Sequence, residues 1–211
     1  MDTAPIRIFL VEDHTIVREG LKEILNQRTE MQIVGEVGDA ESYLVQSQNI
    51  KHDLVILDLS LPGTPGLKLL ETLSKTLPVL VLTTHVEEHY AVRAFKAGAS
   101  GFLCKSKAFS ELIIAIRRII SGRAYVPSEF AGAIALSLNK NTKKASTHSL
   151  SDREFYVLCQ LACGKTVQHI ADELKISKKT VSTFKRRLME KLDLASNAEL
   201  VKYAIQTGLV V

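Results

Sequence analysis

The sequence predicts an α/β protein in two parts: a (βα)5 doubly wound parallel-sheet domain, then a small all-α four-helix domain. Three observations lead there. Short apolar runs alternate with helix-periodic segments up to about residue 122. Two of those runs, Leu54–Leu57 and Val79–Leu82, are unbroken, as in strands buried on both faces. Beyond residue 150 the pattern is helical throughout, with a three-residue turn between the second and third helices.

The elements follow in order. Strands are expected near 6–11, 31–37, 53–58, 79–83 and 100–104. Helices are expected near 14–27, 39–49, 66–76, 87–97 and 107–121, with Gly98 and Gly122 where helices should stop. The two unbroken runs are the central strands. Residues 128–138 suit a short helix packed on one domain or the other. Asn139 to Ser149 is polar and reads as a flexible linker. Ser151 or Asp152 is placed to cap a helix through about 163, closed by Gly164. A second helix lies near 166–174. A third, capped by Ser177, lies near 178–191. Ser196 or Asn197 caps a fourth that reaches Gly208. The expected division is a domain over 1–122, a linker with a short helix over 123–149, and a helix-turn-helix domain over 150–211.

Composition narrows the class. Hydrophobic content of 46% and charged content of 24% are ordinary for a folded globular chain. No apolar run approaches the roughly 18 residues of a membrane span. The stretch Met1-Asp2-Thr3-Ala4-Pro5 lacks the features of a signal peptide, so a cytoplasmic location is expected. Three cysteines, Cys104, Cys159 and Cys163, do not suggest a disulfide framework. Cys159 and Cys163, four apart, read as small apolar residues on one helix face rather than a metal or redox pair. Residues 1–122 hold 13 Lys and Arg against 15 Asp and Glu, whereas 123–211 hold 14 against 8. This asymmetry suggests that only the second half meets a polyanion.

The apolar runs end on polar residues. Ile6–Val11 ends at Glu12 and Asp13, Leu54–Leu57 at Asp58, Val79–Leu82 at Thr83, and Phe102–Cys104 at Lys105. In a parallel sheet these tips share the carboxyl edge, where ligands of open α/β sheets bind. Three carboxylates at short range repel, and oxygen ligands of this kind favour Mg²⁺. Asp13 and Asp58 are the best metal ligands, with a backbone carbonyl near Ser60, and Glu12 acting directly or through water. Asp58, ending a central strand, is the candidate nucleophile toward phosphorus. Lys105 would bind a phosphoryl oxygen, and the Thr83 hydroxyl would follow the new group.

Residues 6–121 resemble the receiver domain of two-component response regulators. The matching motifs are Val11-Glu12-Asp13-His14, Leu57-Asp58-Leu59-Ser60-Leu61-Pro62-Gly63, Leu82-Thr83-Thr84 and Phe102-Leu103-Cys104-Lys105. The resemblance implies that Asp58 accepts a phosphoryl group from a phosphohistidine of a sensor kinase. It also implies that Glu12 and Asp13 hold Mg²⁺, and that Thr83 and Phe102 form a switch pair. Pro65 departs from the polar residue many receivers carry there. Ser60 and His85 stand where they would tune the lifetime of the phosphate.

The third helix of the basic half is amphipathic at about 100° per residue. Val181, Phe184, Leu188 and Leu192 share a stripe, with Lys179, Thr183 and Arg186 opposite and Ser182 and Arg187 flanking. Lys178, Lys179, Lys185, Arg186, Arg187 and Lys191 face a single acid, Glu190, over 178–191. This suits a recognition helix in a DNA major groove, with lysines on phosphates and Ser182, Thr183 and Arg186 reaching base edges. Leu150-Ser151-Asp152-Arg153-Glu154, Gly164, Ile170-Ala171-Asp172-Glu173-Leu174 and Ile176–Val181 resemble the LuxR-type helix-turn-helix. Phe184 stands where many relatives have His or Tyr, and is expected to pack inward.

The whole chain thus resembles a NarL/FixJ-type response regulator. The resemblance implies a non-enzymatic DNA-binding transcription regulator controlled by phosphorylation. A change at Thr83 and Phe102 would remodel the surface around 86–121, which would either release the basic module or allow dimerisation. Binding as a homodimer is expected, with Asn197–Gln206 a contact helix. Two other readings are weighed. One is a DNA binder working independently of phosphorylation, although every needed pocket residue is present. The other is an aspartyl-phosphate phosphatase or mutase, although Asp58 lacks the Asp-x-Asp pattern and no cap domain is evident.

Overall fold

The computed structural model describes residues 4–62, 66–84, 88–138, 150–206 and 209. Side chains at 136–138 and 152 are not among the described groups. Gly63, Pro65, His85, the tract from Asn139 to Ser149, and Gly208 lie outside the described residues. Two compact units are present, Met1–Thr142 and Lys143–Val211.

In the first unit, β1 (Ile6–Val11), β2 (Met31–Val37), β3 (Leu54–Asp58), β4 (Val79–Thr83) and β5 (Gly101–Cys104) form one parallel sheet. Its order is β2-β1-β3-β4-β5, so the strand order reverses between β1 and β3. Every residue of β3, β4 and β5 is buried, as the unbroken apolar runs require. Helices α1 (Thr15–Asn26), α2 (Ala40–Gln46), α3 (Gly66–Leu73), α4 (Glu88–Lys96) and α5 (Ala108–Ile120) alternate with the strands. Ile8, Leu10, Leu54, Ile56, Leu80, Leu82 and Leu103 pack against Leu21 and Leu25 of α1 and Leu112 and Ile116 of α5. From the opposite face Tyr43 of α2 meets Phe9 edge-on, with ring centroids 4.9 Å apart. Gly98 and Gly122 adopt φ of +96° and +80°, the left-handed geometry that ends α4 and α5.

The chain does not leave this unit at the end of α5. Tyr125 lies beside Gly101 as an isolated parallel bridge on the outer edge of β5. A 3₁₀ turn over Ser128–Phe130 leads into α6 (Ala131–Leu138), where Ile134 is buried.

The second unit holds α7 (Asp152–Ala162), α8 (Val167–Leu174), α9 (Lys178–Leu192) and α10 (Asn197–Gln206). Phe155, Leu158, Ile170, Val181, Leu188 and Leu200 supply its core. Each start is fixed by a side chain: Ser151, Thr166 and Ser177 accept from the amides of Glu154, His169 and Thr180, and Ser196 accepts from Glu199. Lys175 and Asp193, both near φ +55°, close α8 and α9 without glycine. Cys159 is buried but Cys163 is exposed, because Cys163 is the residue that caps α7 rather than part of its inner face.

Glu154 ties this bundle together. It closes the Ser151 capping box and accepts from Lys191 Nζ of α9 at 2.6 Å. Burial alone would raise its carboxyl, but Lys191 and Ser151 outweigh that and hold it below its ordinary 4.5. Its stabilisation is therefore present above that value and lost as pH falls through the depressed one. Glu154→Gln keeps the shape without the charge. It is expected to lower the stability of this unit by about 1 kcal/mol near neutral pH, and to flatten its decline below pH 4.5. Denaturation profiles of the two proteins across that range check this; superimposable curves would remove the ion pair from the account.

Candidate functional site

Strand order carries the polar tips into a row. Glu12 follows β1, Asp58 ends β3, Thr83 ends β4 and Lys105 follows β5, so they line adjacent strands at one edge. The switch point between β1 and β3 puts Glu12 and Asp13 beside Asp58. Glu12, Asp58 and Thr83 are all buried, at 2%, 1% and 0% exposure.

Lys105 organises the row. Its Nζ lies 2.7 Å from Glu12 Oε2 and 2.8 Å from Asp58 Oδ2, bridging residues 93 and 47 positions away in the chain. Asp58 Oδ1 accepts from the Ser60 amide at 2.9 Å. Glu12 Oε1 accepts from the His14 amide at 3.1 Å, and Arg18 donates to the Glu12 carbonyl at 2.6 Å. His14 Nδ1 lies 2.8 Å from Asp13 Oδ1. Burial pulls the Lys105 ammonium down, but Asp58 and Glu12 outweigh it and hold it above its ordinary value. Burial, and then the Asp58 charge, push the Glu12 carboxyl up against the opposing pull of Lys105.

Single ligand atoms of Glu12, Asp13, His14 and Asp58 lie within 4.8 Å of one another. Three carboxylates against one ammonium leave the cluster short of positive charge. Hard oxygen donors in that number match a small divalent cation, so the donor set fits the ion that the sequence suggests. His14 is the residue sequence reasoning left without a role. Its place directly after the acidic pair was the available signal.

Thr83 and Phe102 share one face of the sheet, since Val81 pairs with Phe102 and Thr83 with Cys104. Phe102 is fully buried. Its ring meets Phe130 edge-on with centroids 6.0 Å apart, a contact from outside the strand–helix repeat.

The second candidate site is α9. Lys178, Lys179, Ser182, Arg186 and Arg187 are exposed, whereas Thr183 and Lys185 are half-buried. The Thr183 hydroxyl donates back to the Lys179 carbonyl at 2.9 Å, so its proton is engaged within the helix. Arg186 Nη1 pairs with Glu190 Oε1 at 2.7 Å, with both side chains largely exposed. Such a pair is weak and readily exchanged for a better acceptor. Val181 and Leu188 are fully buried, while Phe184 is only half-buried. Lys191 lies apart from the basic face, joined to Glu154.

Comparison with known proteins places both sites in context. Residues 8–117 match the family described as the response regulator receiver domain, and residues 148–204 match the bacterial regulatory proteins of the luxR family. Response regulator GacA of Pseudomonas aeruginosa is 33% identical over 209 residues, spanning 97% of this chain and 98% of GacA. Response regulator UvrY of Escherichia coli is 33% identical over 208 residues, spanning 97% and 95%. The RcsB response regulator of Salmonella typhimurium, studied for DNA interaction, aligns with a TM-score of 0.59 at 25% identity over 97% of this chain and all of that one. A response regulator RcsB–DNA complex gives 0.59 at 25% over 95% and 98%. No described helix is long and apolar enough to cross a membrane.

The raised Glu12 carboxyl makes a titration test. A group raised on folding contributes stability that is full below its unfolded value, here 4.5, and lost as pH climbs through the raised one. In chelator-treated protein, Glu12→Gln is expected to reduce the fall in thermal midpoint between pH 4.5 and neutrality. Parallel profiles for the two proteins would show that this carboxylate carries no such strain.

Proposed function

The chain belongs to the two-component response regulators, joining a receiver domain to a LuxR-type DNA-binding domain, and from that premise we propose that a sensor histidine kinase phosphorylates Asp58 to control its grip on promoter DNA. The observation that carries this reading is the Lys105 bridge between Glu12 and Asp58, with Asp13 alongside, at the carboxyl edge of the sheet. The proposed division is a receiver over 1–122, a connecting segment over 123–149 and the DNA-binding domain over 150–211.

An Asp58 carboxylate oxygen attacks the phosphorus of a phosphohistidine. The new O–P bond forms as the N–P bond breaks, and the imidazole leaves with the electron pair. Lys105 and the Ser60 amide already hold the two carboxylate oxygens and so fix the orientation of the attacking group. Asp13, Asp58 and the Ser60 carbonyl, with Glu12 direct or through water, would hold Mg²⁺, which would supply positive charge against the phosphoryl oxygens. Lys105 then donates to a phosphoryl oxygen, and the Thr83 hydroxyl turns toward the group. Phe102 responds on the same face.

The output is an equilibrium shift between two forms, so the phosphoryl group must favour one of them differentially. Lys178, Lys179, Lys185 and Arg187 would meet phosphates, while Ser182, Thr183 and Arg186 would reach base edges. Arg186 exchanges Glu190 for guanine. One RcsB structure holds two dimers on two DNAs. A dimer on two half-sites is proposed here, with α10 as a contact helix. The working location is the cytoplasm.

Asp58→Ala is expected to abolish phosphoryl uptake from a small phosphodonor with Mg²⁺ while leaving the fold intact; intact-protein mass measures it, and native-rate labelling would refute the assignment. On DNA, Arg186→Ala is expected to cost about 1–3 kcal/mol and relax specificity at one position. Lys179→Ala is expected instead to weaken all sequences alike and to lower the salt slope by about 1. Binding titrations across salt and site variants separate the two roles, and an exchanged pattern would overturn the division.

A further inference from the structure

The segment after α5 is tied to the receiver at Phe102 in two ways. The Phe102 amide donates to the Tyr125 carbonyl at 3.1 Å, and the Tyr125 amide donates to the Ser100 carbonyl at 3.0 Å. The Phe102 ring meets Phe130 edge-on. The residue proposed to respond to phosphorylation is thus held through both its main chain and its side chain by one stretch.

Other contacts anchor the same stretch. The Tyr125 hydroxyl donates to Glu111 of α5 at 2.5 Å. Lys107 pairs with Glu129 at 2.7 Å. Gly101 is the strand residue that Tyr125 overlies, and a Cβ there would lie 2.7 Å from Ile119 Cδ1 and 3.1 Å from Tyr125 Cβ. The glycine leaves room for the close approach of the segment to β5. Beyond Phe130, Ile134 of α6 is buried. From α6 the chain continues through residues 139–149 to the second unit.

We propose that residues 124–138 form a strap that reads the position of the Phe102 ring, held on β5 while the ring seats against Phe130 and released when Asp58 is phosphorylated. The inference rests on the Thr83–Phe102 response in the proposed function. When the Thr83 hydroxyl turns toward the phosphoryl group, the space beside it on the shared sheet face opens to the Phe102 ring. The ring then leaves Phe130 and shifts the main chain that holds Tyr125. Release changes the anchorage of the chain leading to the DNA-binding helices. The signal needs no second molecule to cross from pocket to connector.

Hydrogen exchange on the full chain tests this, with acetyl phosphate and Mg²⁺ as the donor and intact mass as the measure of Asp58 occupancy. In the unphosphorylated protein the Phe102 and Tyr125 amides are expected to be protected. On phosphorylation they are expected to exchange faster by about tenfold or more, while β1 and β3 amides stay protected. Phe130→Ala is expected to take up phosphate normally and to show the faster exchange without it. Tyr125→Phe, which keeps both main-chain bonds, is the milder variant should Phe130→Ala unfold, and is expected to shift the same amides in the same direction. Full Asp58 occupancy with unchanged exchange at Phe102 and Tyr125 overturns the strap and leaves phosphotransfer standing. Wild-type protection in both unphosphorylated variants overturns the strap as well. A chain that takes up no phosphate overturns the underlying reading, and the strap with it.

Discussion

One ammonium holds the receiver pocket together. Lys105 reaches Glu12 and Asp58 from the strand tip two places along the sheet from β3, and it is nine-tenths buried with them. Remove that charge and the buried carboxylates of Glu12, just after β1, and Asp58, at the end of β3, would face one another across the switch point without the ammonium between them. Burial and the neighbouring Asp58 charge still push the Glu12 carboxyl up. A site left slightly short of positive charge is receptive to a cation. In the proposed phosphotransfer the same lysine would engage the incoming oxyanion.

Most of this was legible in the sequence. Unbroken apolar runs at Leu54–Leu57 and Val79–Leu82 mark buried parallel strands, and a parallel sheet has only one edge where strand ends collect. Asp58, Thr83 and Lys105 were therefore findable from where the runs stop. The helical unit was readable for a different reason: Ser151, Ser177 and Ser196 cap helices through contacts three residues away, within reach of local pattern. The less legible features are long-range. Nothing near Phe130 in sequence indicates that its ring meets Phe102, and the periodicity of 178–191 does not reveal that Lys191 turns to Glu154. Phe184 is half-buried because the helical stripe fixes direction but not how far the neighbouring helices extend over it.

Helix α9 relies on local bonding. The Thr183 hydroxyl donates to the Lys179 carbonyl, and Arg186 pairs with Glu190 one turn away. Neither arrangement buries charge. Both are short-range bonds within one helix, each formed with a residue four positions away.

Tyr125 also closes an open flank. A terminal strand of a sheet offers unpaired amides and carbonyls to any passing chain. Here the outer side of β5 is satisfied at Phe102 and Ser100 by a residue that belongs to no strand of its own. A truncation placed after α5 would strip that cover, uncap an aromatic ring and leave a template for intermolecular pairing. The contacts of the first unit therefore continue past its fifth helix, and a cut at the visible end of the strand–helix repeat would remove them.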